Sequence, residues 1–160
     1  MATPTSLPAT FVAGNVLTAA QMNDLRGAFR ILQVVVATDG TSRTTTSTSY
    51  VDANISVTIT PTSADSDVLL VWQASGKSSA GSTHEIGFMA ITDASDVVQN
   101  QISFGNNNLD DAYAGAIVTA YLSPATTSAT TYKGRFKADS STVQLNGVGT
   151  GHLYAIEVSA

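Results

Sequence analysis

Ile55-Ser56-Val57-Thr58-Ile59-Thr60-Pro61, followed after a short loop by Val68-Leu69-Leu70-Val71-Trp72, is the stretch on which the reading of the chain turns. In the first segment apolar β-branched residues alternate with hydroxyl residues at period two, the pattern of a strand with one face buried and one in water. Pro61 stops it, because a residue without an N–H cannot continue a ladder. The second segment is a continuous apolar run, which suits a strand covered on both faces. Together they predict the centre of an antiparallel sheet core.

Working outward, the same signals repeat. Upstream, Gln33 to Thr38 is a β-branched run, Asp39-Gly40 is a hairpin signal, and Arg43 to Tyr50 is a Thr/Ser-rich strand. Downstream, Ser75 to Thr83 reads as a loop, and Ile86, Phe88 and Ala90 belong to a strand joined near Asp93 to Asp96 to another at Val97 to Phe104. Gly105 to Asp111 is turn-rich, and Ala112 to Leu122, Thr130 to Ala138, Thr142 to Asn146 and His152 to Val158 complete the set. About ten strands at this spacing predict an all-β sandwich over residues 33–160.

Only Leu17 to Leu32 predicts a helix. Thr18 and Gln21 form a capping box, Leu17 and Met22 a hydrophobic staple, and Met22, Leu25, Phe29 and Leu32 recur at the spacing of a narrow a/d seam. Such a short helix, with Gly27 inside it, is marginal alone and must dock on its own sheet or on copies of itself; the narrow seam favours copies. Residues 1–32 therefore read as an extended arm plus one short helix that anchors the chain and joins it to its copies.

The chain has 160 residues, 43% of them apolar and only 12% charged, with a net charge of −5. Seven Lys and Arg in an acidic chain of pI near 4.6 argue against nucleic-acid binding, which depends on cations that release counterions. The absence of Cys excludes a disulfide framework and a thiolate nucleophile. The N-terminus lacks the basic and apolar regions of a secretory signal, and no stretch has the length of a transmembrane helix, so no membrane insertion is expected.

Few residues invite chemistry. Gly76-Lys77-Ser78 has Val71 where a phosphate loop needs Gly. His84 and His152 are the only histidines and have no nucleophile elbow beside them, although copies of one of them meeting on a symmetry axis would suit a metal. Asp65 with Asp67, and Asp110 with Asp111, offer oxygens to a calcium ion but fit turn residues better. Trp72 ends an apolar run, which favours burial over a sugar-stacking platform. Lys133, Arg135 and Lys137 alternate along one strand, with Tyr132, Gly134 and Phe136 on the other face, and form a candidate contact for an anionic surface. No cofactor is expected.

Tyr121-Leu122-Ser123-Pro124-Ala125-Thr126-Thr127-Ser128-Ala129-Thr130-Thr131-Tyr132 resembles the segment YLDSPATTSATTY of β-sandwich domains in bacteriophage tail-fibre and other virion-attached proteins. Leu153 to Val158 is similar to the closing strand LTAIEI of such chains, and Tyr50 to Leu69 to their early strands. Phe11 to Asn23 resembles the N-terminal element F-x-A-G-x-x-L-T-A-A-Q-x-N of minor virion proteins. The pattern has an Asp between Leu122 and Ser123 that this chain lacks, so no role of that carboxylate carries over.

The resemblance implies an antiparallel jelly-roll-like (TNF-like) sandwich, often trimeric, on a virion. The expectation is a non-enzymatic virion structural protein, a homotrimeric fibre, spike or decoration component made in the host cytoplasm and bound to other virion proteins through residues 1–32. The alternative is a receptor-binding adhesin whose loops recognise a host-surface glycan. A polysaccharide hydrolase would need paired carboxylates, and Glu85 and Glu157, the only glutamates, are not paired by the sequence.

Overall fold

Ile55, Val57 and Ile59 are buried and Ser56 and Thr58 exposed, as period-two alternation requires. The computed structural model describes residues 14, 16, 18 and 19, then 31–78, 86–105 and 113–159. Among them are ten strands: β1 (Ile31–Asp39), β2 (Arg43–Thr45), β3 (Val51–Ile59), β4 (Asp67–Ser78), β5 (Gly87–Asp93), β6 (Val98–Phe104), β7 (Ala114–Leu122), β8 (Thr130–Ala138), β9 (Val143–Leu145) and β10 (Gly151–Val158). All the pairings are antiparallel.

The strands form a six-stranded sheet ordered β1-β10-β4-β9-β2, with β7 also on β4, and a four-stranded sheet ordered β3-β8-β5-β6. The pairs β5·β6, β4·β7, β3·β8 and β1·β10 show that the chain folds back on itself at residues 94–97 as one long ribbon. These four pairs enter alternate sheets, while β2·β9, between β1·β10 and β3·β8 along the ribbon, stays in the six-stranded sheet. Gly76 faces Leu145 of β9 and Ala114 of β7, so these strands lie on opposite edges of β4. Strands β9 and β10 therefore follow one another along one edge, separated by residues 146–150, where Asn146 at φ 52 and Gly149 at φ 80 redirect the backbone.

The two sheets enclose one core that includes Ile59, Leu70, Trp72, Met89, Ile91, Phe136 and Leu153. Large side chains are seated against glycines. A Cβ on Gly134 would lie 2.6 Å from Ile55 Cγ2 and 2.9 Å from the Trp72 indole, and one on Gly76 would lie 2.5 Å from the Phe104 ring, which also closes on Gly87.

Several expectations are corrected. Asp39-Gly40 is not a hairpin tip: β1 pairs with β10 and β2 with β9, and Gly40 lacks the positive φ that a type I′ turn demands. The expected strand Arg43 to Tyr50 stops at Thr45, because hydroxyls compete with the ladder. Ser47 N–H donates to Thr45 Oγ1 (3.1 Å), Ser49 N–H to Ser47 Oγ (3.1 Å), and Ser47 Oγ to the Ser49 carbonyl (2.7 Å). Ser75 to Ser78 is not loop but the end of β4, held by β7 and then β9. Val68 to Trp72 is buried on one face only, with Leu69 and Val71 half-buried on the other.

Leu32 does not end a helix either. It lies in β1, at the bulge where the partner of Ile31 is Val158 and that of Gln33 is Glu157, so the sheet begins two residues before the expected boundary. The helix over residues 20–30, with Met22, Leu25 and Phe29, and most of the arm lie outside the described residues.

One end of the sandwich is fastened by a carboxylate. Glu157 is 0% exposed, although the only formal charge in the inward-facing run of β10 is its own. It accepts hydrogen bonds from Gln33 Nε2 (2.6 Å), Thr62 N (2.7 Å) and Thr62 Oγ1 (2.8 Å). Desolvation raises its pKa, but the bonds from Gln33, Thr62 and Ser66 prevail and hold it below the ordinary carboxylate value. Three segments, β1, the β3–β4 loop and β10, thereby meet at one group.

Two outcomes follow. Gly134→Ala forces a methyl against Ile55 and Trp72 and should destabilise the fold by about 1–3 kcal/mol, read from the urea midpoint of Trp72 fluorescence. Glu157→Gln puts an amide N–H₂ where donors converge and should lower stability at pH 7 by about 1–3 kcal/mol. Because the folded pKa is depressed, the carboxylate contribution is present above the unfolded value near 4.5 and is lost as pH falls through the folded value. The gap in melting temperature between wild type and Glu157→Gln should therefore shrink on acidification below that value.

Candidate functional site

The outward faces of the two sheets are opposites. On the four-stranded sheet, Lys133, Arg135 and Lys137 share one face of β8 as the alternation predicts, while Tyr132, Gly134 and Phe136 face the core. All three cations are engaged within the fold. Lys133 Nζ donates to Asp96 Oδ1 (3.1 Å) and to the Ala94 carbonyl (2.9 Å). Arg135 forms an ion pair with the other oxygen of Asp96 and donates to the Tyr50 carbonyl (2.9 Å). Lys137 Nζ lies 5.0 Å from the centroids of both the Tyr50 and the Phe88 rings.

Asp96 is presented by the β5–β6 turn, where Asp93 organises the backbone by accepting from Ser95 N and Val97 N, and where Asp96 itself has a φ of 66°. The hydrogen bond from Arg135, and then that from Lys133, holds the Asp96 carboxyl below its ordinary range. The stripe is thus partly neutralised and held in place.

On the six-stranded sheet the outward residues form three cross-strand rows over β1, β10, β4 and β7. They are Val34-Ile156-Leu69-Tyr121, Val36-Tyr154-Val71-Thr119 and Thr38-His152-Gln73-Ile117. None of the twelve is an acid, a lysine or an arginine. Val34, Val36, Ile117 and Tyr121 are 51–62% exposed, and Ile31 continues the apolar surface at one end. Charges stand only beyond the rows. Asp67 accepts from Tyr121 Oη (2.7 Å) and from Ser123 Oγ, and Lys77 Nζ lies 5.1 Å from the Tyr113 ring centroid. His152 and Tyr154 stack at 6.1 Å between ring centroids.

Beside the third row, Gln73–Ser75, Gly115–Ile117 and Val148–Thr150 line an open groove of about 330 Å³. The 146–150 segment that walls it is fixed by Asn146, whose N–H donates to the Ser75 carbonyl (2.8 Å) and whose Nδ2 donates to the Asp39 carbonyl (3.0 Å).

The other expected residues fall as follows. Trp72 is buried, so it is no sugar platform. Gly76-Lys77-Ser78 is extended strand rather than a phosphate loop. Asp67 is taken up by Tyr121 and Ser123, and among the described residues no group of three His, Asp or Glu side chains is placed to hold a metal. His84, Glu85, Asp110 and Asp111 lie outside the described residues. Sequence reasoning missed the apolar outer face. Its signal was present in the unbroken runs at Val34 to Ala37 and Val68 to Trp72, which supply apolar side chains to both sides of their strands.

No protein-family model matches the chain, and no curated protein matches its sequence.

Asp96→Asn should release Lys133 and Arg135 and strengthen retention on a heparin column a few-fold at low salt, with the gain screened away at high salt. Asp65→Asn makes the same change in net charge at an exposed site in the β3–β4 loop, off the stripe, and should not reproduce it.

Proposed function

We propose that the chain is a non-enzymatic structural component of a phage particle, a trimeric fibre, spike or decoration element with a jelly-roll-like sandwich displayed behind an anchoring N-terminal segment. The observation that carries this reading is the winding of the strand ribbon. With β1·β10 and β4·β7 in one sheet and β3·β8 and β5·β6 in the other, the order supports a jelly-roll reading, an architecture much used in viral capsid and lectin domains. The resemblance of Tyr121 to Tyr132, Leu153 to Val158 and Phe11 to Asn23 to virion-attached proteins supports the same reading. A charge-free apolar sheet face suits a protein that works in an assembly.

In this reading residues 1–32 hold the chain to the particle, and the seam of Met22, Leu25 and Phe29 contributes to self-association. The sandwich supplies stiffness and display. The closed, all-antiparallel architecture fits that role, because its sheet edges are covered from within: Gln33 Nε2 donates to the Thr60 carbonyl of the neighbouring sheet (2.7 Å) and Asn100 Nδ2 to the Thr119 carbonyl of β7 (2.6 Å).

An antibody raised against the purified chain should label phage particles in negative stain at a discrete, repeated position, and light scattering should give the mass of three 16.5 kDa chains. Absence of the chain from purified particles would overturn the virion assignment, and a monomer at tens of micromolar would overturn the trimer.

A further inference from the structure

We infer that Asn146, in the pair Asn146-Gly147, is a site of spontaneous covalent modification through a succinimide, held unreactive by the folded 146–150 segment and released when that segment opens. The site belongs to the sandwich itself and does not rest on the function proposed above.

The chemistry is set by the dipeptide. The nitrogen of a Gly that follows Asn closes on the Asn side-chain carbonyl carbon more readily than that of any other residue, because no Cβ blocks the approach and the backbone there bends freely. A bond forms between Gly147 N and Asn146 Cγ, the Asn146 Cγ–Nδ2 bond breaks, and ammonia leaves with the proton of the Gly147 N–H. Water then opens the five-membered ring at either carbonyl, giving Asp or the isoaspartate in which the main chain runs through the side-chain carbons. The net change is one water taken up and one ammonia lost. Asn146-Gly147 is the only Asn-Gly pair in the chain.

The fold demands both residues for other reasons. Asn146 has a φ of 52°, in the left-handed region that Asn tolerates better than most residues, and its Nδ2 donates to the Asp39 carbonyl (3.0 Å). A Cβ on Gly147 would fall on the Tyr113 ring, whose hydroxyl donates to Gln144 Oε1 (2.8 Å). A reactive pair is therefore built into the junction of β9 and β10.

The same contacts oppose every step. Ring closure must draw Cγ from non-bonded contact to bonding distance, while the Asn146 N–H is tied to the Ser75 carbonyl of β4 (2.8 Å) and its side chain to β1. Closure also turns Oδ1 into an oxyanion, and Oδ1 is buried with no donor among the protein atoms around it. The leaving Nδ2 faces the Asp39 carbonyl, an acceptor that has no proton to give. At 7% exposure Asn146 is also shut off from the water that completes the reaction. Asp39-Gly40, the related pair across the junction, has no amide to expel, and its carboxylate is occupied by Thr41 N–H (3.0 Å) and Arg43 Nε (3.1 Å).

This protection is local. Burial ends at Asn146: Leu145 is 1% exposed but Val148 is 52% exposed, and a Cβ on Gly149 would meet nothing. Strand β9 is three residues long, and after it Ser75 holds the segment at two points, its carbonyl accepting from Asn146 N and its Oγ donating to the Val148 carbonyl. Short exposed stretches of this kind open at a free energy well below that of global unfolding. The product does not fit back. A carboxylate in place of the amide sets an acceptor against the Asp39 carbonyl at a buried position, and isoaspartate lengthens the main chain just before Gly151 must meet Asp39 and His152 must meet Gln73.

The test incubates the full-length chain at mildly alkaline pH, folded and in urea above its unfolding midpoint, and follows tryptic peptide 138–160, in which Asn146 is the one Asn, by mass spectrometry. A gain of one mass unit at Asn146, with isoaspartate detected by isoaspartyl methyltransferase labelling, should appear roughly tenfold or more faster in urea than in the folded chain. Peptide 44–77, in which Asn54 precedes Ile55, should stay unchanged over the same time. Ser75→Ala should raise the folded rate several-fold and leave the urea rate as it was, and Asn146→Asp, which supplies one product directly, should lower the urea midpoint. No modification in urea overturns the site, and equal rates in the folded and unfolded chain overturn its protection by the fold. A Ser75→Ala chain that reacts at the wild-type folded rate overturns opening of the segment as the exposing step, and an Asn146→Asp midpoint equal to wild type overturns the loosening assigned to the product.

Discussion

The spacing of the two sheets is set where the Trp72 indole meets Gly134. Packed sheets lie about 10 Å apart, and an indole fills that gap only if the opposing strand offers no side chain. Trp72 is buried although its Nε1–H finds no acceptor among the protein atoms around it. The balance is still favourable: burying 150–250 Å² of aromatic surface is worth about 4–6 kcal/mol, against about 1–3 kcal/mol for a buried donor left unpaired. Phe104 makes the same kind of contact with Gly76 and Gly87. Large side chains on glycines thus tie β4 to β8, and β6 to both β4 and β5. The strands that carry the outward faces are held at the separation this core dictates.

A sandwich closed in this way still has open ends and edges, and polar side chains close them. Gln33 serves both purposes, since its amide reaches the Thr60 carbonyl across the β1·β3 edge and Glu157 at the end of the core. The buried carboxylate is tolerated because four donor groups replace its water, and charge-assisted hydrogen bonds are stronger than neutral ones. A carboxylate with donors from three segments also fixes their register. A one-residue slip of β10 would carry Glu157 to the outer face and strand Gln33 and Thr62 without an acceptor.

Much of this was legible in the sequence where one physical rule acts alone. Ile55 to Ile59 shows bare alternation, and Thr130 to Ala138 was read with its observed limits and its cations on the correct face. The failures occur where two rules compete. Thr44 to Ser49 has strand composition, yet its hydroxyls bond locally and end the strand. Asp39-Gly40 has hairpin composition, but its flanking strands find partners about a hundred residues or more away, a choice that no local window contains. At Val68 to Trp72 the alternation was hidden because the outward residues are apolar too, and the same fact conceals the candidate face. The partners of the cations, Asp96 and Tyr50, were illegible for a topological reason: they are 37 and 85 residues distant from Lys133 and Arg135 and are brought in by the turn between β5 and β6 and the approach to β3.

The distribution of charge over the two faces follows from the same topology. Three of the seven cations lie on β8, in the middle of the four-stranded sheet, where β3 and the β5–β6 turn bring Asp52 and Asp96 within the same surface. The six-stranded sheet places the first and last strands side by side with β4, and within the three rows the outward positions of all three are apolar, aromatic or uncharged polar, with Asp67 and Lys77 of β4 beyond them. A monomer gains nothing from this separation, because an exposed apolar face costs solubility and a pinned cation contributes little to stability in water. The uncharged face therefore leaves apolar surface in water, while the charged face holds its cations against Asp96 and the Tyr50 and Phe88 rings and stays solvated.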